Sequence, residues 1–261
     1  MQVAQFASQK MEIKTPKLAI IAGNGSIPFY LVEECINQNR EYCLIIIEDH
    51  GKELLEKYNP DFIVSLSKMG KAINFVKGLN IKDIVMVGSI KRPSLTNLIP
   101  DLWTAKFLAR ISANIGGDDS ILSRLTKALE NEGFNIIAPE DIIPSLLCPS
   151  GTLGKYKPNN INRNDILSGS KIAKIIGSND IGQSIVMENG LVLAVEAAEG
   201  TDNMIKRSKY LKKEEKGGVL IKVIKPQQDK RIDRPVIGLN TLKSVWEAGL
   251  DGIAIEKDEI L

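Results

Sequence analysis

Short apolar runs rich in Ile and Val alternate along this chain with stretches whose apolar residues recur every three to four positions. KLAIIA at 17–22, YCLIII at 42–47, DFIVSL at 61–66 and DIVMV at 83–87 read as buried strands. Between them, 29–37 and 69–79 carry the helical period. Strands alternating with helices at this spacing predict a parallel, doubly wound sheet. An amphipathic stretch at 100–113, a helix at 120–132 and a strand at 134–138 continue the pattern. Residues 139–164 break it: four prolines and two glycines among polar residues read as a linker. That places a domain boundary near residue 150, with a ligand cleft expected between the domains. Beyond it the pattern predicts a helix at 165–181 and a hairpin at 184–187 and 191–195, turning through Glu188-Asn189-Gly190. A basic helix at 203–215, a strand at 219–224, a helix at 239–248 and a strand at 252–256 complete the chain. The expected class is α/β. A leader at 1–16 precedes an N-terminal Rossmann-like parallel sheet with helices at 17–140, followed by a linker at 141–164 and a second, mixed α/β domain at 165–261.

Composition adds constraints rather than a direction. At 261 residues, 43% hydrophobic and 25% charged, the chain has the make-up of an ordinary globular protein with a sizeable core. A net charge of +2 gives no bulk case for nucleic acid. The charge is uneven, however. Residues 201–236 hold eleven Lys or Arg against five Asp or Glu, a local excess of six that suits phosphate or an anionic membrane surface, or a solvated helix face. Three scattered cysteines without ligand spacing argue for a reducing compartment and against zinc. No run of eighteen apolar residues and no signal-peptide pattern occurs, so a cytoplasmic protein is expected.

The single histidine, His50, precedes a helical pattern and reads as a polar turn residue, so acid–base or metal chemistry falls mainly on carboxylates and lysines. Gly23-Asn24-Gly25-Ser26-Ile27-Pro28 follows the first strand and opens a helix, as in phosphate-binding turns. It is not a full dinucleotide fingerprint, and a tight turn that merely needs glycine is the alternative. Lys91 and Arg92 sit beyond the carboxyl end of the fourth strand, where such sheets bind ligands; surface solvation is their other reading. Asp118 and Asp119, after two glycines at a helix start, suit either capping or a sugar hydroxyl or metal. The stretch from Gly190 to Gly238 concentrates the remaining candidates. Its two apolar runs spill into Glu196, Glu199 and Asp202, and into Lys222, Lys225, Asp229, Arg231 and Asp233. Acids to hold a cation beside bases to hold phosphate suit a phosphorylated substrate; ion pairs on a solvated surface are the alternative.

With AGNGSIP, VGSIKRPSLTNLIPD, GGDDSILSRL, AVEAAEGTDNMIKR, GGVLIKVIKPQQDKRIDRPVIG and AGLDGIAIE in view, the chain resembles one family in order from about residue 18 to 256. It is similar to the UDP-2,3-diacylglucosamine pyrophosphatases of lipid A biosynthesis, the type distinct from the calcineurin-like phosphoesterases. The resemblance implies a Mg²⁺-dependent hydrolase that yields UMP and 2,3-diacylglucosamine 1-phosphate (lipid X). It implies two domains holding substrate between them. The essential aspartate of the family matches Asp229, as metal ligand or water-activating base, with Asp233 as the neighbouring choice. Lys222, Lys225 and Arg231 would then flank the diphosphate, with Lys91 and Arg92 reaching from the first domain. Glu199 and Asp202 would join Asp229 on the metal, and Glu196, Thr201, Gln228, Asp118 and Asp119 would contact substrate. Gly23, Asn24 and Gly25 would meet the uridine half. The lipid substrate implies peripheral contact with the inner-membrane surface, and a homodimer is a further expected assembly.

Two other readings use the same residues. A nucleotide-sugar or phosphate sensor would bind without turnover, although acids beside a phosphate serve an enzyme better than an anion-binding module. An oxidoreductase would need a complete glycine fingerprint and an acid after the second strand; only Glu48-Asp49 lies at that distance.

Overall fold

A computed structural model describes residues 16–90, 99–113 and 121–261. The leader up to residue 15 lies outside the described residues. The chain divides into two units. One takes in the chain up to Leu108 with Leu129–Ile137, and the other Ala109–Ala128 with Ala138–Leu261.

The first unit is built on a parallel sheet. β1 (Leu18–Ala22), β2 (Tyr42–Ile47), β3 (Phe62–Val64), β4 (Asp83–Val87) and the two-residue β5 (Asn135–Ile136) stand in the order β3-β2-β1-β4-β5. Every pair is parallel, which the buried, continuously apolar runs require. β1 is buried along its whole length, and each fully buried Leu or Ile contributes about 1.5–3 kcal/mol. α1 (Ile27–Asn37), α2 (Lys52–Lys57) and α3 (Met69–Gly78) connect the strands. The chain winds outward from β1 to β3, then returns to place β4 on the other side of β1. That reversal is the switch point where open sheets leave a crevice at their carboxyl ends. α4 (Leu102–Ala113) and α5 (Ile121–Asn131) follow β4 in sequence, with Ala109–Ala128 belonging to the second unit.

The second unit carries a mixed sheet. β6 (Ser184–Glu188), β7 (Leu191–Val195), β8 (Val219–Lys222) and β9 (Gly252–Ile255) stand in the order β7-β6-β8-β9. β6 runs antiparallel to β7 and to β8, while β8 and β9 are parallel. α6 (Pro139–Ile142) and α7 (Asn160–Ser178) precede the sheet; α8 (Thr201–Ser208) and α9 (Leu239–Glu247) are interleaved with its strands. Alternation along the strands divides the core. Ile185, Met187, Val219 and Ile221 pack against Ala173 of α7. Val186, Ala194 and Leu220 pack against Met204 and Ile205 of α8 and Val245 of α9. Lys222, two residues past Leu220, therefore belongs to the α8 and α9 side. α7 comes close because Gly169 has no side chain, and a Cβ there would lie 2.7 Å from Met187 Sδ.

The expected linker is more ordered than its composition suggests. Pro139 opens α6 and Pro144 a 3-10 turn at Pro144–Leu146, because proline at a first helical position gives up an N–H that has no partner there anyway. α7 begins at Asn160 rather than near 165. Asn159 caps it, accepting from the Asn162 amide at 2.8 Å while Asn162 accepts from the Asn159 amide at 3.1 Å. The basic helix expected over 203–215 runs instead from Thr201 to Ser208 and ends in a 3-10 turn at Lys209–Leu211. The third strand is likewise shorter than the apolar run that predicts it.

Candidate active site

At the switch point of the parallel sheet, β1 runs into Gly23 and β4 into Gly88. The two segments touch through main chain: the Asn24 amide donates to the Ser89 carbonyl at 3.0 Å, and the Ser89 amide returns the bond at 2.9 Å. A Cβ on Gly23 would sit 2.6 Å from the Ser89 carbonyl oxygen, and one on Gly88 2.7 Å from that of Asn24. Gly88 also holds φ at +89°, which glycine adopts without strain. The Asn24 side chain accepts from the Gly51 amide at 2.9 Å and donates to the Ser89 carbonyl at 3.3 Å. Asn24 thus ties together the ends of three strands. Gly25, at φ +110°, has open space where its side chain would be, and leads into α1 with Pro28 in the first turn. His50 is buried here, its Nδ1 2.8 Å from the Glu48 carbonyl oxygen, as befits a turn residue.

In the second unit, a buried polar chain forms where β7 and β8 end. Lys222 Nζ donates to Thr201 Oγ1 at 3.0 Å and to the Val236 carbonyl at 3.1 Å. Thr201 in turn donates to Glu196 Oε1 at 2.7 Å, and the other Glu196 oxygen accepts from the Gln183 amide at 3.3 Å. Asp202, one residue on, accepts from Thr241 Oγ1 of α9 at 2.8 Å. Lys222 is only 6% exposed. Burial pushes its pKa down, while Glu196 and Asp202 pull the other way. The expected clamp residue is therefore an internal strut. It fixes the far end of the loop 223–238 to the end of its own strand.

That loop gathers the other candidates. Gln228 accepts from the Lys225 amide at 3.0 Å and donates to Asp233 Oδ2 at 3.1 Å, closing a tight turn. Lys225 reaches Asp180 at 2.6 Å. Asp229 receives Arg231 in a fork: Nε to Oδ1 at 3.0 Å and Nη2 to Oδ2 at 2.8 Å, with the Arg231 amide also on Oδ1 at 3.1 Å. Those bonds hold the Asp229 carboxyl below the usual carboxylate range, against the opposing effect of burial. Asp233 differs. Burial raises it, with Asp180 and Asp229 adding like charge, while Gln228 and Lys225 lower it. Two aspartates four residues apart are thus pushed in opposite directions, a pattern typical of functional sites.

The expected metal ligands do not come together. Glu199 pairs with exposed Arg207 at 2.9 Å, and Asp202 faces Thr241. Among the described residues, no three His, Cys, Asp or Glu side chains form a group that would hold a metal by themselves. Mg²⁺ is less demanding, since it keeps several waters and is commonly held by one or two carboxylates plus substrate phosphate. An ionised Asp229 fits that donor set; the trio of Asp229, Glu199 and Asp202 does not. Lys91, Arg92, Asp118 and Asp119 lie outside the described residues.

One contributor escaped sequence reasoning. Arg234, at the end of the charge run, forms a buried pair with Glu140 and donates to Glu259 Oε2 at 3.1 Å and to the Asp258 carbonyl at 3.0 Å. It anchors the Asp229 loop to α6 and to the end of the chain. Its principal partner lies 94 residues away, so spacing carries no signal of the pair.

Comparison with known proteins divides the chain at a different place, since residues 109–128 and 138–146 belong to the second structural unit but to the first family domain. The family model of the LpxI N-terminal domain matches residues 17–146, and that of the LpxI C-terminal domain matches residues 149–261. A UDP-2,3-diacylglucosamine pyrophosphatase LpxI from Caulobacter vibrioides is 35% identical over 252 residues, covering 94% of this chain and 90% of that protein. With both domain models matched in order and a curated relative aligned over nearly the whole length, the chain belongs to the LpxI family.

Proposed function

We infer that this protein hydrolyses the pyrophosphate bond of UDP-2,3-diacylglucosamine, giving UMP and 2,3-diacylglucosamine 1-phosphate in lipid A biosynthesis. The observation that carries this is the identity to a pyrophosphatase of that specificity along 94% of the chain. In the reaction, water bonds to one phosphorus as the bond from that phosphorus to the bridging oxygen breaks. The proton given up by water leaves to solvent or to the departing phosphate.

Within that reaction we assign the loop 223–238 to the diphosphate. Asp229, kept ionised by Arg231, is a weak proton acceptor, so its role is to hold charge in place rather than to act as a base. It would hold Mg²⁺ together with substrate phosphate and water, and the bound ion would neutralise charge developing on the phosphoryl oxygens. Arg231 and Lys225 supply positive charge on either side of Asp229. Gln228 fixes the turn that presents them, and Lys222, Thr201 and Glu196 brace its end. Glu199 and Asp202 fall outside the ligand set, since they do not form a group with Asp229. Gly23 to Gly25 offer backbone at the open end of the parallel sheet for the uridine half. A diacylated substrate places the enzyme against a bilayer, which we propose to be the cytoplasmic face of the inner membrane, met peripherally; a homodimer is compatible with this. No helix among the described residues is long and apolar enough to cross a membrane.

The test is release of UMP from UDP-2,3-diacylglucosamine by purified protein, with Mg²⁺ and then with EDTA. Metal-dependent UMP is the expected result. Substrate bound without UMP would replace the enzyme with a sensor.

A further inference from the structure

α9 presents an exposed apolar stripe on the side away from its sheet. Thr241, Ser244, Val245 and Ala248 face the sheet and are buried. On the opposite side, Leu239 is 83%, Leu242 49% and Trp246 80% exposed. Their spacing of three, then four, places all three on one line down the helix. A second exposed pair continues the stripe. Tyr210 is 85% and Leu211 52% exposed in the 3-10 turn after α8. That turn is held near the carboxyl end of α9, where Trp246 lies, because Lys212 Nζ donates to the Ala248 carbonyl at 3.2 Å and to that of Gly249. α8 and α9 share one apolar cluster on the same face of the sheet, so their outer surfaces point away from it together.

This apolar patch is bordered by positive charge. Lys206, Lys209, Lys213 and Lys216 are all exposed on α8 and the segment after it, whereas Lys243 on α9 lies 3.8 Å from Glu247 and adds no net charge. Residues 201–216 hold six Lys or Arg against three Asp or Glu. Leucines with Trp and Tyr inside a rim of lysines is the chemistry of a bilayer interface. The aromatic rings settle at headgroup level, the leucines enter the acyl boundary, and each lysine near an anionic surface adds attraction that salt weakens. A second copy of the chain fits less well, because a two-fold contact centred here would bring the lysine rows into mutual repulsion.

We propose that the outer face of α8 and α9, with Leu239, Leu242, Trp246 and Tyr210 at its centre, is the surface by which this protein docks on an anionic bilayer. The inference rests on the proposed lipid substrate for its purpose, and its position supports it. α9 begins at Leu239, directly after the loop that carries Asp229, and Val236 of that loop is pinned to Lys222. A docked α9 therefore holds the loop beside the membrane in which a diacylated substrate resides.

The test uses the full chain and vesicles containing no substrate, so it does not depend on turnover. Wild-type protein should co-sediment with vesicles of phosphatidylcholine and phosphatidylglycerol, bind pure phosphatidylcholine far more weakly, and lose binding as salt rises. Replacing Leu239, Leu242 and Trp246 together by Ser should cut binding to the anionic vesicles at least about tenfold. UMP release from a short-chain, water-soluble analogue should be unchanged in that variant, which also shows that it has folded. Charge reversal by Lys206→Glu, Lys209→Glu and Lys213→Glu should weaken vesicle binding alone. Equal binding by wild type and the triple Ser variant overturns the proposal. So does a wild-type dimer that the triple Ser variant makes monomeric while vesicles bind neither, which would assign the face to a second copy. Loss of UMP release by the wild type with vesicle binding intact would instead remove the enzymatic reading and leave the docking surface standing.

Discussion

At the carboxyl end of β1 the chain meets β4 because two glycines lack side chains, whereas at the carboxyl end of β8 the contact is made by the ammonium of a buried lysine. The first approach relies on volume: main-chain amides and carbonyls lock directly, and one asparagine ties three strand ends. The second relies on charge, relayed from Glu196 through Thr201 and Lys222 to the Val236 carbonyl. Both bring a loop to the end of a sheet where a ligand can be met. They should fail in different ways, one through steric conflict that lowers stability, the other through misplacement that lowers rate.

Removing the charge that the second loop presents should have the largest effect. Asp229→Ala is expected to slow UMP release by about 10³-fold or more, with the thermal midpoint little changed. Loss of the folded state along with activity would make Asp229 a structural partner of Arg231 instead. Lys222→Met comes next. The apolar stem fills the same volume but leaves Glu196 buried without its cation, so the folded protein should be less stable, while kcat/KM falls by about 10²-fold as the loop loses its strut. Unchanged kinetics would show that Pro235 and Ile237, paired with the chain terminus, position the loop unaided.

The glycine site should respond in stability. Gly88→Ala meets both a backbone contact and a positive φ, and should cost about 2 kcal/mol or more in urea unfolding. Gly25→Ala carries the φ strain without the contact, and should cost only about 1 kcal/mol. Equal losses at the two positions would deny that close approach distinguishes them. The smallest effect is expected at Asp233. Its folded pKa is raised, so its stabilising contribution is complete below the unfolded value of about 3.9 and is lost as pH rises through the folded value. At neutral pH the buried carboxylate is a cost. Asp233→Asn should therefore raise the urea midpoint at pH 7 and flatten the pH dependence of stability above pH 4. A lower midpoint would mean that Lys225 depends on that charge.

Much of the fold is legible because buried strands of a parallel sheet are apolar on both faces and interrupt a helical period clearly. Tyr42–Ile47 and Asp83–Val87 coincide with their apolar runs residue for residue, and so does Leu191–Val195, although it is a half-exposed antiparallel edge strand of the mixed sheet. β3 and β5 do not, since they are short pairings whose extent depends on neighbouring strands rather than on their own composition. The stretch 139–164 reads as a linker because prolines are counted there as breakers, although two of them start helical turns. In the site, residue types near strand ends point to the right segments but not to their partners. Lys222 looks like a phosphate clamp until strand alternation sets it on the inner face with Leu220. The exposed stripe of α9 is visible in LNTLKSVWE as more apolar residue than one buried face requires, but only the structure distinguishes Val245 from Trp246.

The central claim is that Asp229, held ionised in the loop of the mixed sheet, acts on the bound diphosphate. Asp229→Asn keeps the shape and removes the charge, so substrate affinity and UMP release measured on that variant with Mg²⁺ present test the claim most directly. Affinity within a few-fold of wild type with UMP release lost is the predicted result. UMP release at the wild-type rate would contradict it and move the chemistry to another residue.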